Sequence, residues 1–226
     1  MMNRSRASQK RLLIVGSMMA ALLTAGCHGA GGATMQAQTV ELKDRAPDSV
    51  CIDIPNGWYM KESDAPGDHS TYWQIEQKQD DADAHAQSED SQSSGERAYY
   101  QGSGIEISVI PVHSMVSSGR FGDLEDKALD FQAEKDAKAE DLKAAEFTRD
   151  FSTAEDRQIG DAPAYGFAYT QDGRAGIRPA LTYEALREDG VWTVFVFGEV
   201  GSDDVPQELI ESIDTLTWVP TGTDCK

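Results

Sequence analysis

Four histidines, three cysteines and 39 acidic residues are the side chains from which this 226-residue sequence could assemble chemistry. Acyl transfer needs a base, usually His, beside an activated Ser or Cys. His28 sits in a Gly- and Ala-rich stretch, and His69 and His85 sit in loop-like segments. His113 stands at the end of an apolar run with Ser114 beside it. Adjacent residues on a strand point to opposite faces, so this pair forms no dyad by itself, and no Gly-x-Ser-x-Gly elbow occurs. His113 reads as a half-exposed histidine. Carboxylate pairs for glycoside cleavage are available in number, but so many acids describe a solvated surface first. Asp80, Asp81, Asp83 and His85 approach a calcium-loop pattern. Ala84 and His85 break its alternation and the turn glycine is missing, so no metal site is expected. Gly102-Ser103-Gly104 precedes a strand-like run, not a helix whose amides could cradle phosphate. Trp58, Tyr59, Tyr72 and Trp73 could line a groove, though packing is the commoner use of such residues. These residues single out no catalytic set, metal or cofactor, and the reading leans away from an enzyme.

The charge excludes other classes. The chain carries a formal −19. Residues 1–26 hold Arg4, Arg6, Lys10 and Arg11 and no acid, so a chain without them carries −23. Such a balance argues against nucleic acid, which is bound through Lys and Arg. It also disfavours electrostatic docking on anionic lipid. Charged residues make up 26%, an ordinary share for a folded soluble domain.

The basic stretch at 4–11 is followed by the uncharged run LLIVGSMMAALLTAG at 12–26. That is short of the roughly 18–20 residues a spanning helix needs and has the layout of a secretory signal. No adjacent Arg pair is present, which disfavours a twin-arginine route. Leu23-Thr24-Ala25-Gly26-Cys27 resembles the lipobox of bacterial lipoproteins. Thr24 departs from the branched apolar residue usual there. The resemblance implies that Cys27 is lipidated and becomes the first residue of the mature chain. The alternative is an apolar helix that happens to contain a Cys. Setting Cys27 aside leaves Cys51 and Cys225 as an even pair, which an exported, oxidising compartment would bridge. The alternative is two free thiols, and nothing nearby supports a metal pair.

Elements that would position these residues follow from periodicity. Residues 27–47, rich in Gly, Ala and Gln, read as a lipidated flexible tether. SVCIDIP at 49–55 and TYWQIE at 71–76 alternate as strands. Residues 77–97 have no large apolar side chain and read as an acidic disordered insertion. GIEISVIPV at 104–112 is a strand that Pro111 should end. A helix is expected from Asp123 to about Phe147, with Leu124, Ala128, Phe131 and Leu142 inward and Glu134 pairing with Lys138. Strands follow at 147–156, 162–170, 177–186 and 191–197, with turns at Gln171-Asp172-Gly173 and Glu188-Asp189-Gly190. Ser202-Asp203-Asp204 should cap a last helix carrying Leu209, Ile210 and Ile213, before a short strand at Trp218-Val219.

The predicted class is α+β, an antiparallel β-sheet flanked by helices, in one domain at 48–226. The segments IDIPNGW, GIEISVI, APAYGFAYT, VWTVFVFGE and ELIESIDTLTW, from Val50 to Trp218, resemble in order the PsbP-like α/β/α sandwich. That superfamily includes extrinsic photosystem II subunits and small bacterial lipoproteins. The resemblance implies a non-catalytic binding or assembly role and transfers no site residues. The expectation is a monomeric domain on the outer face of the cell membrane, held by its lipid anchor and serving an envelope protein partner. The alternatives are a cell-envelope hydrolase and solute capture for a transporter; the latter usually needs two lobes and more chain.

Overall fold

The period-two runs of the sequence become one seven-stranded antiparallel sheet in the computed structural model, which describes residues 39–64, 71–77, 100–121 and 127–225. The strands are β1 (Thr39–Glu41), β2 (Ser49–Cys51), β3 (Trp58–Asp64), β4 (Thr71–Gln77), β5 (Gly104–Pro111), β6 (Ala128–Asp130), β7 (Thr148–Ile159), β8 (Ala162–Gly173), β9 (Gly176–Arg187), β10 (Gly190–Phe197) and β11 (Thr217–Val219). The helices are α1 (Val112–Ser117), α2 (Phe131–Ala144) and α3 (Gln207–Ile213). The main sheet runs β3-β4-β5-β10-β9-β8-β7, and two-stranded ribbons form from β1 with β6 and β11 with β2. The class is therefore mixed α+β with sheet predominating. All described residues fall within the unit Gly32–Lys226. Residues 1–26, Cys27, His28, His69, His85 and the insertion beyond Gln77 lie outside the described residues.

Alternation on the central strands feeds two cores. Trp73, Ile75, Ile105, Ile107, Trp192, Val194 and Val196 pack on one face with Leu209, Ile213 and Val50. Tyr165, Phe167, Val191 and Leu186 pack on the other with Val112, Met115, Phe131, Leu142 and Leu42. VWTVFVF is apolar in both phases because β10 sits between β5 and β9 with material on each side. Trp192 is fully buried and stacks on Trp73 at 5.6 Å, and its ring centroid lies 4.7 Å from that of Trp218. Burying such a side chain contributes on the order of 2–3 kcal/mol. At the β9–β10 turn Gly190 has a φ of +151°, and a Cβ there would lie 2.3 Å from the Ile110 carbonyl oxygen. The edge strand β7 carries two register shifts and charges of both signs, which discourage edge-to-edge pairing.

Several expectations change. The helix expected from Asp123 begins at Phe131, because Asp130 accepts from the Ala133 amide at 2.8 Å and caps it. Ala128–Asp130 instead pairs with Thr39–Glu41. Leu124 lies outside the described residues. Glu134 and Lys138 do not pair with each other: Glu134 meets Arg120, and Lys138 meets Glu184 at 2.5 Å. The expected tether ends earlier than residue 47, since β1 begins at Thr39 and Leu42 is buried. The strand expected over SVCIDIP stops at Cys51, and Trp58–Asp64, for which no strand was expected, pairs with Thr71–Gln77. The β8–β9 hairpin turns at Arg174-Ala175, because Asp172 and Gly173 extend the ladder. The last helix has no side-chain cap. It starts after Pro206, whose carbonyl receives the Leu209 amide, while the Ser202 hydroxyl donates to the Glu199 and Asp204 carbonyls.

Candidate functional site

Cross-strand register places side chains in rows on the face that α2 covers. Ser108, Thr193, Glu184 and Tyr165 stand across β5, β10, β9 and β8. The next row is Gln74, Glu106, Phe195, Thr182 and Phe167. At the β8 end these rows close into an aromatic core. At the β5 and β10 positions they are half-buried and, apart from Phe195, polar. The boundary is a groove of about 330 Å³ between Lys138 and Leu142 of α2 and a floor of Glu106, Ser108, Thr182, Thr193 and Phe195. Phe147, 45% exposed, stands on its rim with Tyr169 and Gln171. Ile110, 46% exposed, lies one position beyond Ser108 on the same face of β5.

Hydrogen bonds fix the walls. The buried Glu184 carboxylate receives the Tyr165 hydroxyl at 2.6 Å and the Lys138 ammonium at 2.5 Å, so both of its oxygens are engaged. The Tyr169 and Thr182 hydroxyls are 3.1 Å apart, and Arg178 Nε donates to Gln171 Oε1 at 2.9 Å. Burial and the adjacent Glu184 charge push the Tyr165 hydroxyl far above the ordinary phenol range, and burial raises Tyr169 as well. These groups position and hydrogen-bond; they do not form a nucleophile and base.

The Tyr165 shift has a pH consequence. A phenol whose folded value is raised keeps its proton in the native state, so its contribution is complete below about pH 10 and is lost as pH rises beyond it. Spectrophotometric titration should show Tyr165 ionising only with unfolding, and Tyr165→Phe should reduce that alkaline step by one tyrosine. A Tyr165 signal titrating near pH 10 in the folded protein would refute the burial argument.

A larger cleft of about 760 Å³ opens between β7 and the segment leading to α3. Asp150, Asp203 and Asp204 line it; Asp150 has a φ of +50° at a register shift, and its carboxylate accepts from the Thr170 hydroxyl at 3.2 Å. Among the described residues no group of His, Cys, Asp or Glu is arranged to hold a metal. The smaller groove is the stronger candidate, since buried and half-buried polar groups converge there beside an aromatic ring.

The residues singled out in sequence are dispersed. Cys51 and Cys225 form a disulfide with Cα atoms 5.6 Å apart. Cys27, Asp80, Asp81, Asp83 and His85 lie outside the described residues. His113 and Ser114 occupy the short helix α1 and not a strand end, because the chain turns into a helix directly after Pro111. His113 is exposed, Ser114 is buried, and the pair flanks no described groove. Trp58 and Trp73 pack on the first core, whereas Tyr59 faces the other way and donates to Glu76 at 3.0 Å. The Tyr72 side chain lies outside the described residues. The groove residues themselves were not anticipated. The available signal was Thr182 and Glu184 alternating with Leu181, Tyr183 and Ala185 on a strand that is otherwise apolar.

No family model matches the chain, and no curated protein matches it. Among solved structures it is similar to LpqN, described as involved in cell envelope biogenesis of Mycobacterium tuberculosis. The identity is 11%, with 82% of this chain and 93% of that chain covered, at a TM-score of 0.28.

Proposed function

We propose that this chain is an extracytoplasmic lipoprotein, anchored through Cys27 to the outer face of the cell membrane, that acts as a binding or assembly module. The observation that carries the reading is the Cys51–Cys225 disulfide in a chain whose third cysteine follows Leu-Thr-Ala-Gly at the end of a short apolar run. Disulfides persist in oxidising compartments. Among the described residues no helix is long and apolar enough to cross a membrane. A multi-chain lipid anchor gains about 0.8 kcal/mol per buried CH₂ and needs no spanning helix. Packed elements on both faces of an antiparallel sheet support the further proposal of a PsbP-like sandwich. The groove beside α2 supplies a surface for binding.

Cys27→Ala should move the protein from the membrane pellet to the soluble fraction and abolish incorporation of labelled fatty acid. Unchanged lipid labelling would refute the anchor.

A further inference from the structure

The groove on the α2 face offers hydroxyls, a carboxylate, an ammonium and an aromatic ring within one recess, and this composition is selective. An anionic ligand would meet Glu106 in the floor and Glu184 behind it, and Lys138 is already engaged with Glu184 at 2.5 Å. A cationic ligand would find Glu184 already paired with Lys138, whose ammonium stands in the wall. An apolar ligand would strip water from the half-buried Ser108 and Thr193 hydroxyls without replacing its hydrogen bonds, which is costly. A neutral ligand carrying many hydroxyl groups satisfies all three constraints. Its hydroxyls exchange hydrogen bonds with the floor, and its C–H face rests on an aromatic ring.

The register supplies that arrangement. Ser108 and Thr193 are direct cross-strand partners, and Phe195 lies between Glu106 and Thr182 in the adjacent row. Phe195 is half-buried and held by Phe197, with ring centroids 5.3 Å apart. Gln171 at the rim has its carbonyl oxygen held by Arg178, which orients its amide. The volume of about 330 Å³ is at the small end for ligand sites and suits a short stretch of sugar rings.

We propose that this groove is a carbohydrate subsite that takes a neutral oligosaccharide segment, with Phe195 as the stacking platform and Ser108 and Thr193 as the hydroxyl-reading floor. The inference rests on the reading of the chain as a binding module and names its ligand class.

The test uses the full-length protein in detergent micelles. The probes are neutral gluco-, manno-, galacto- and arabino-oligosaccharides beside a sulfated oligosaccharide, an oligolysine peptide and a fatty acid. At least one neutral oligosaccharide should bind. Phe195→Ala and the near-isosteric Thr193→Val should each weaken that binding about tenfold, with circular dichroism unchanged, and Asp203→Ala in the larger cleft should leave it unaltered. Binding by none of the neutral probes, binding indifferent to both groove variants, or groove binding by a charged or apolar probe alone would overturn the proposal. A photo-crosslinker at Ile110 in intact cells separates the two readings. A crosslinked protein partner without glycan binding removes the carbohydrate assignment and leaves the binding module standing, whereas neither result removes both.

Discussion

Replacing Cys51 and Cys225 together by serine should lower the unfolding free energy by about 5 kcal/mol. The bridge spans 174 positions, nearly the whole described chain, so its removal frees the unfolded ensemble more than a local crosslink would. The native state should change little. Cys51 lies on β2, which stays paired to β11 through Thr217, Trp218 and Val219, and Val50 remains inserted in the first core at 2% exposure. The expected signature is a lowered urea midpoint with near-native tryptophan fluorescence in the absence of denaturant. A loss of this size is comparable to the whole stability of many domains. Production in a reducing compartment should therefore give little folded protein, which ties the bridge to the proposed export. A difference below about 1 kcal/mol between bridged and unbridged protein would show that closing this loop is not how the disulfide stabilises the fold.

What sequence reasoning could read was what neighbouring residues determine. Ile105, Ile107 and Val109 alternate with Glu106 and Ser108 because one face of β5 meets a dry core and the other a half-open groove. VWTVFVF announced a central strand because both its phases are covered. The ribbon of Thr39–Glu41 with Ala128–Asp130 was not legible: three-residue strands carry no periodicity, and their partners are distant in sequence. This pairing also explains the misplaced start of α2, since residues of good helix propensity were claimed by a strand whose partner was unknown. The groove was illegible for a related reason. Ser108, Thr182 and Thr193 are ordinary residues singly, and they converge only once the register of β5 on β10 and β10 on β9 is set. The disulfide was the exception. Cysteine pairing could be inferred by counting because the chemistry of the pair, and not its neighbourhood, restricts the options.

Asp189→Ala should cost about 3–5 kcal/mol, the range for removing one partner from a buried ion pair. Asp189 is fully buried at the β9–β10 turn, where the sequence shows an ordinary Asp-Gly signal. Its carboxylate receives the Asp48 amide at 2.9 Å, Arg187 Nε at 3.1 Å and Trp192 Nε1 at 3.1 Å. Arg187, 7% exposed, also reaches Asp48 at 2.6 Å and Asp161 at 3.0 Å, and its guanidinium lies 4.7 Å from the Trp218 ring centroid. Alanine would leave the Trp192 N–H without its acceptor in a dry core, which costs about 1–3 kcal/mol by itself. It would also strip Arg187 of its most buried counter-charge. Asp189→Asn keeps the shape and one acceptor oxygen, so its loss should be smaller than that of alanine. Asparagine still loses the charge and the acceptor of the Asp48 amide, so the difference between the two variants reports the bonds that Oδ1 accepts from Arg187 and Trp192. The same cluster fastens the segment that enters the domain. Asp48 is held by both Asp189 and Arg187, and the Lys43 amide donates to the Glu188 carbonyl at 2.6 Å. The Lys43 ammonium, hydrogen-bonded to the Glu188 carboxylate, holds that group below its ordinary range. Hydrogen exchange in Asp189→Ala should therefore accelerate first at residues 39–50, before the rest of the sheet opens. If alanine and asparagine both remain within about 0.5 kcal/mol of the parent, the scale expected of an ordinary surface change, the cluster does not stabilise the fold. Uniform acceleration of exchange across the domain would show instead that the entry segment is not separately latched.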